Sequence, residues 1–218
     1  MDDKSHLVEL VRRRGVRDPR LLAAMARIDR GAFIPLGFES AAYEDEPVPI
    51  GHGQVTTQPS LIAEMVEALE LSGHERVLEV GAGYGFQTAI LASLCKEVLA
   101  VEWFPDLARQ ARANLDAAGI RNATVVEGDG TRGLENHAPY DRIIVGAAAP
   151  SVPQPLEDQL VEGGLLVQPM GVGGRETVMV FRKQGGRLLE ERILTFASFV
   201  PLRGERGVVK EEATRHEL

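Results

Sequence analysis

Apolar and polar positions follow two rhythms along this 218-residue chain. In the first part, VELVRRRG and DPRLLAAMARI repeat apolar residues three and four apart, the spacing that builds one apolar helix face. Asp18 stands just before Pro19, a capping side chain followed by a residue that suits a first helical turn. The proline-broken run FIPLGFESAAYEDEPVPI reads as extended. A loop, GHGQVTTQP over 51–59, leads into PSLIAEMVEALEL, which predicts a helix over Pro59–Leu71 with Thr57 or Gln58 at its N-cap.

From Arg76 onward, short apolar runs alternate with helical ones. RVLEV, VLAVE, TVVEGD, YDRIIVGA and GLLVQPM read as strands. FQTAILASLCK, Pro105–Ala118 and PLEDQLVEG read as the intervening helices. This alternation predicts right-handed βαβ units, hence an α/β fold with a doubly wound, mostly parallel, Rossmann-like sheet. After Gly171 the chain turns β-rich. ETVMVFRK, RLLEERIL and FASFVPL are expected to add antiparallel strands at one edge. The division is thus a helical region over 1–75, a core over 76–204 and a polar tail over 205–218 that is expected to fray.

Composition narrows the function. Hydrophobic residues make up 44% and charged residues 26%, ordinary for a globular domain. A formal net charge of −8 argues against nucleic acid or an anionic membrane as partner. No apolar run nears the roughly 20 residues needed to span a bilayer. The start, MDDKSHLVEL, lacks the layout of a signal peptide. The one cysteine, Cys95, lies in an apolar stretch and is expected to pack, and a reducing cytoplasm fits. Five scattered histidines show no metal-site spacing, so no metal is expected.

The chemistry gathers at strand ends. GAGYG follows the first strand and opens a helix, so a ligand can lie against bare backbone at the carboxyl edge of the sheet. The glycines are Gly81, Gly83 and Gly85, with Phe86 where the dinucleotide fingerprint has its third glycine. Glu79, inside the strand, would repel a pyrophosphate and suits a cation. S-adenosylmethionine carries a sulfonium and an ammonium and no phosphate, and is the expected cofactor. Glu102 ends the next strand, placed to hold both ribose hydroxyls, and Trp103 is placed to pack on adenine. Asp129, in GDG, is placed to meet the adenine amino group.

The chain resembles the protein-L-isoaspartate O-methyltransferases, which repair isomerised aspartyl and asparaginyl sites. The resemblance spans about Leu21 to Gly204. It rests on AYEDEPVPIGHGQVTTQP, VLEVGAGYGFQTA, GDG, APYDRIIVGAAAP and FVPLRG. It implies that Glu79, Gly81, Gly83, Tyr84, Gly85, Glu102, Asp129 and Gly130 hold S-adenosylmethionine, leaving S-adenosylhomocysteine as product. The active loop, Gln54, Val55, Thr56 and Thr57, is implied to lie near cofactor and acceptor, with Thr57 as the catalytic hydroxyl. Ala148 and Ala149, in the AAAP that ends the fourth strand, are implied beside the methyl donor. Val200 and Leu202, within FVPL, are implied to bind the substrate's extended backbone. The last strands are implied to be rearranged relative to the usual methyltransferase order. The acceptors would be L-isoaspartyl and D-aspartyl residues in damaged proteins, and a monomer is expected.

Four positions depart from the family pattern. Val55 and Thr56 replace a Thr and an Ile, Thr57 stands for the active Ser, and Arg203 stands where a small residue or Thr is common. Thr57 keeps the hydroxyl but stiffens χ1. The acceptor carboxylate needs no general base, since it is ionised at neutral pH. Transfer from sulfonium to carboxylate partly cancels two charges, so a dry cleft and correct placement suffice. A neutral hydroxyl fixes that anion without blunting it as a lysine would. Two other readings remain at this level. One is an enzyme of the same fold acting on ordinary aspartate, and the other is a non-catalytic S-adenosylmethionine-binding module. VGAAAP lacks the Asn/Asp-Pro-Pro-aromatic run of amino-nitrogen methylation, which disfavours a nucleic-acid acceptor.

Overall fold

The fold is that of a computed structural model, which describes residues 3–208. Of the tail, residues 209–218 lie outside the described residues. In chain order the helices are α1 (Asp3–Arg13), α2 (Pro19–Arg27), α3 (Pro59–Glu67), α4 (Phe86–Ala92), α5 (Pro105–Ala117) and α6 (Gln154–Gln159). The strands are β1 (Val48–Gly51), β2 (Gln54–Thr56), β3 (Arg76–Val80), β4 (Glu97–Glu102), β5 (Ala123–Glu127), β6 (Tyr140–Val145), β7 (Leu160–Met170), β8 (Glu176–Gln184) and β9 (Arg187–Ala197).

The main sheet runs β5-β4-β3-β6-β7-β8-β9. Its first five strands are parallel, and β7-β8-β9 is an antiparallel meander. The parallel strands are apolar almost throughout because both faces are covered. Val77, Val98, Ala100 and Ile144 face one core, while Leu78, Leu99, Ile143 and Val145 face the other. Leu21 and Met25 of α2, Ile62 and Met65 of α3 and Ala108 of α5 pack into the first core. The N-terminal helices therefore share their core with the sheet. Chain order reverses between β3 and β6, the kind of switch point where α/β sheets bind ligands. There Gly146 N donates to Val80 O at 2.8 Å.

The helices and strands expected of the core are present with shifted ends. The run over 33–50, expected to be extended, is a strand only at Val48–Gly51. It otherwise folds into turns, bends and a 3-10 helix at Glu39–Ala41, where the carbonyls taken by Arg30 curl it. Asp18 caps α2, accepting from Arg20 N as expected. Helix α3 ends at Glu67 rather than Leu71, and Gln58 at its N-cap makes no side-chain cap bond. Asp45 takes that role from outside the helix: its carboxylate accepts from Ser60 N and Gln58 Nε2, both at 2.8 Å. Helix α4 stops at Ala92, so Cys95 lies beyond it, where Lys96 N already donates to Glu75 O on the way into β4. Helix α6 stops at Gln159 because Lys183 Nζ takes the carbonyls of Glu157 and Leu160 and the chain enters β7 directly. FASFVPL is not one antiparallel strand. Phe196 and Ala197 complete β9, and residues 199–202 leave to bridge Ala148 in parallel.

Candidate active site

The β1–β2 hairpin, the glycine turn after β3 and the ends of β4 and β6 converge on one cleft. Its wall comprises Ile50, Gln54–Thr57, Ile62, Gly81–Tyr84, Phe86, Gln87, Glu102, Leu107, Gly146, Ala147 and Val200. It carries one carboxylate, Glu102, and no basic side chain. A phosphate would find no cation there, whereas a cationic nucleoside meets bare backbone, apolar surface and one anion. S-adenosylmethionine therefore fits the donor set, and a dinucleotide does not.

Glu102 is held at the end of β4 by two backbone amides. Oε2 accepts from Gly83 N at 2.9 Å and Oε1 from Phe104 N at 3.0 Å. Burial pushes its carboxyl pKa up, and the Phe104 and Gly83 amides oppose this. The Gly83 bond ties the glycine turn directly to that carboxylate. Gly83 has φ +55, and a Cβ there would press on Ile50 Cδ1 at 3.2 Å, inside the cleft.

The two loop threonines separate. Thr56 Oγ1 accepts from Arg30 Nη2 and from Val48 N, both at 3.1 Å. Arg30 is buried and also donates to the carbonyls of Ala41, Ala42, Glu44 and Glu46. Burial pushes its pKa down to about 10. Thr56 is thus engaged in fixing the loop to the segment before it. Thr57 lies on the wall, and its hydroxyl has no hydrogen bond among the described residues. Gln54 lines the cleft while its amide donates to His52 O at 3.1 Å.

Of the residues expected here, the cleft wall gathers Gln54, Val55, Thr56, Thr57, Gly81, Gly83, Tyr84, Glu102 and Val200. The others lie off it. Glu79 is fully buried behind the glycine turn, accepting from Gln87 Nε2 at 2.9 Å and Thr88 Oγ1 at 2.5 Å. Burial pushes its pKa up to about 7, against those two bonds. Gly85 begins α4 and packs against Leu115 and Ala111 of α5. Trp103 is 45% exposed and lies next to Glu102 but outside the wall.

Asp129 is held by the chain around it, with acceptor capacity to spare on its carboxylate. Oδ1 accepts from Thr131 N and Oγ1, and Oδ2 from Glu205 N at 2.8 Å, which straps the chain after FVPL to the sheet. Gly130 is a packing glycine, because any Cβ there would collide with Val80. Ala148 and Ala149 are buried, and their backbone groups are used: Ala148 by Val200 O and Leu202 N, Ala149 by Pro169 O and Gly171 N. Leu202 is buried beneath the segment as well. Ala147, the first residue of AAAP, lies on the wall as the resemblance implies, whereas Arg30, Asp45, Ile50, Phe86 and Gln87 shape the site but were not read from sequence as site residues. Only the AYEDEPVPIG run hinted at Asp45, and nothing local marked Arg30.

Among the described residues, no group of three or more His, Cys, Asp or Glu side chains could hold a metal, and no helix is long and apolar enough to cross a membrane.

Comparison with known proteins agrees with this geometry. Residues 2–207 match the sequence profile of the family described as Protein-L-isoaspartate(D-aspartate) O-methyltransferase. A protein-L-isoaspartate O-methyltransferase of Methanoculleus marisnigri is 48% identical over 206 residues, covering 94% of this chain and 93% of its own. One from Methanoregula boonei is 47% identical over 207 residues, covering 94% and 95%. A solved structure named protein-L-isoaspartate O-methyltransferase matches with a TM-score of 0.83 at 28% identity, over 94% of this chain and 67% of that one. A Plasmodium falciparum structure of the same type, in complex with S-adenosyl-L-homocysteine, matches at 0.79 with 25% identity, over 93% and 99%.

Proposed function

Because the chain belongs to the protein-L-isoaspartate (D-aspartate) O-methyltransferase family, we propose that the cleft beside β3 and β6 is where it methylates the free carboxylate of L-isoaspartyl residues in damaged proteins. The protein is an S-adenosylmethionine-dependent repair methyltransferase. The cofactor, when bound, supplies a methyl group on an already activated sulfonium. This chain's residues supply placement. Gly81, Gly83 and Tyr84 would lay backbone along the nucleoside, and Glu102, fixed by two amides, would hold the ribose hydroxyls. Ile50, Ile62, Phe86, Leu107 and Ala147 exclude water from the reacting end.

Thr57 is assigned to the acceptor. It offers an unengaged hydroxyl on the cleft wall, one residue from a threonine whose hydroxyl is committed to Arg30. That difference is the observation carrying the reading. A neutral donor orients the carboxylate without drawing away its charge. Val200 lies on the wall, and a peptide running past it in extended form reaches Thr57 from the same side. The single buried thiol, Cys95, supports action in the cytoplasm.

Incubation with labelled S-adenosylmethionine and matched peptides tests the assignment. Label should enter the isoaspartyl peptide and not its aspartyl twin. Equal labelling of both would point to ordinary aspartate as acceptor, and labelling of neither despite cofactor binding would leave only a binding module.

A further inference from the structure

The turn between β1 and β2 holds an unexpected residue. Gly51 pairs with Gln54, so His52 and Gly53 form a two-residue hairpin turn. Both have positive φ, 53° at His52 and 68° at Gly53. Such a turn favours Asn-Gly, and histidine, though commoner at positive φ than most residues, is not that preferred choice. A side chain kept against that preference invites the question of what it touches.

His52 reaches across to the loop after β4. Its ring stacks on Phe104 with centroids 4.2 Å apart and planes 11° from parallel. Its Nε2 lies 2.8 Å from Asp106 Oδ2. The guanidinium of Arg203 approaches the same Phe104 ring, 5.4 Å from its centroid. Three separate segments therefore meet on one phenyl ring. Each carries part of the cleft wall close by in sequence: Ile50 and Gln54 flank His52, Glu102 and Leu107 flank Phe104, and Val200 precedes Arg203. The Phe104 amide also holds Glu102.

We propose that His52, Phe104 and Arg203 form a clasp that keeps the active-loop hairpin closed against the cofactor cleft, making His52 a positioning residue for cofactor retention. The inference rests on S-adenosylmethionine occupying that cleft. Both partners of the His52–Asp106 contact are well exposed, so it contributes little and the ring stack carries most of the closure. Arg203 reaches the ring from the segment that follows Val200 of the wall. It adds a cation to a ring that the histidine already covers.

His52→Asn tests the clasp without endangering the fold, because asparagine suits the turn better than histidine while removing the ring. Two measurements apply: calorimetric affinity for S-adenosylhomocysteine, and amide hydrogen exchange over residues 50–57 in the free protein. The affinity should fall about five-fold to ten-fold and loop exchange should quicken. Phe104→Leu should do the same, and the double variant should lose little more than either single one, since both remove the same contact. Affinity and exchange equal to the parent's, or fully additive losses, overturn the clasp. A parent that binds no S-adenosylhomocysteine overturns the cofactor reading, and loop exchange then still decides whether the hairpin is clasped.

Discussion

Thr56 and Thr57 are neighbours of nearly identical chemistry with opposite fates. Both line the cleft, but the Thr56 hydroxyl is engaged by Arg30 and Val48, while Thr57 keeps its own uncommitted. Thr57→Val should lower turnover on an isoaspartyl peptide about ten-fold to hundred-fold, with cofactor affinity held, as expected for loss of one hydrogen bond to a charged group. Thr57→Ser should keep or raise turnover, and steady-state kinetics with both substrates varied would separate these effects. Thr56→Val should instead lower stability by about 1–3 kcal/mol, since it leaves a buried guanidinium arm short of an acceptor. Denaturant titration reads that directly, and an unchanged midpoint would refute the structural assignment of Thr56.

Glu79 gives a pH signature at the same scale. Its folded pKa, about 7, lies above the ordinary carboxyl value of 4.5, because burial disfavours the charged form. The folded protein therefore binds more protons than the unfolded chain between those values. Its contribution is fully present below 4.5 and is lost as pH rises through about 7. Glu102 is shifted in the same direction, so the difference between variant and parent is the diagnostic quantity. Glu79→Gln should flatten the fall in melting temperature between pH 4.5 and 7. An identical pH profile would show that Glu79 is not desolvated as described. Glu75 acts outside this window. Burial raises its pKa, but the Ser72 hydroxyl and nearby amides outweigh that and hold it at about 2, so its contribution is lost only as pH falls towards 2.

At the scale of elements, α3 starts where it does because of a residue in another segment. Pro59 announces a helix, yet the capping acceptor is Asp45, which lies in a bend before the hairpin. This carboxylate joins the bend to the helix that follows the active loop, so both ends of the loop are anchored. Asp45→Ala should cost about 1–2 kcal/mol of stability, the usual range for a lost helix cap. Chemical denaturation would detect it. The strands and helices of the core were legible in advance because period and punctuation are local properties. Their ends were less so. Helices α4 and α6 stop short because Glu75 O and Lys183 Nζ, remote in sequence, engage the next groups along the chain. Residues 199–202 looked like another β-rich strand, and only the free edge of Ala148 shows where they bind.

At the scale of the whole molecule, the N-terminal helices and the sheet bury their apolar faces in one cluster. Separate melting of residues 1–75 would expose much of that cluster, so the described chain should unfold in a single transition. Trp103, the one tryptophan, sits at the end of β4, far along the chain from α1. Its fluorescence and the far-ultraviolet circular dichroism should therefore trace coincident curves. An earlier circular dichroism transition would mean that the helical region unfolds alone.

The order of strands and helices, the glycine turn, the acid at the end of β4 and the hydroxyl-rich loop were all determined by the sequence, because each depends on residue type and short spacing. Which threonine is tied to Arg30, that Asp129 straps the chain at Glu205, that Glu79 sits behind the wall and that His52 stacks on Phe104 were decided by the tertiary structure. These depend on which distant segments arrive opposite a side chain, and on how far that arrival excludes water. Neither is encoded within any one window of the chain.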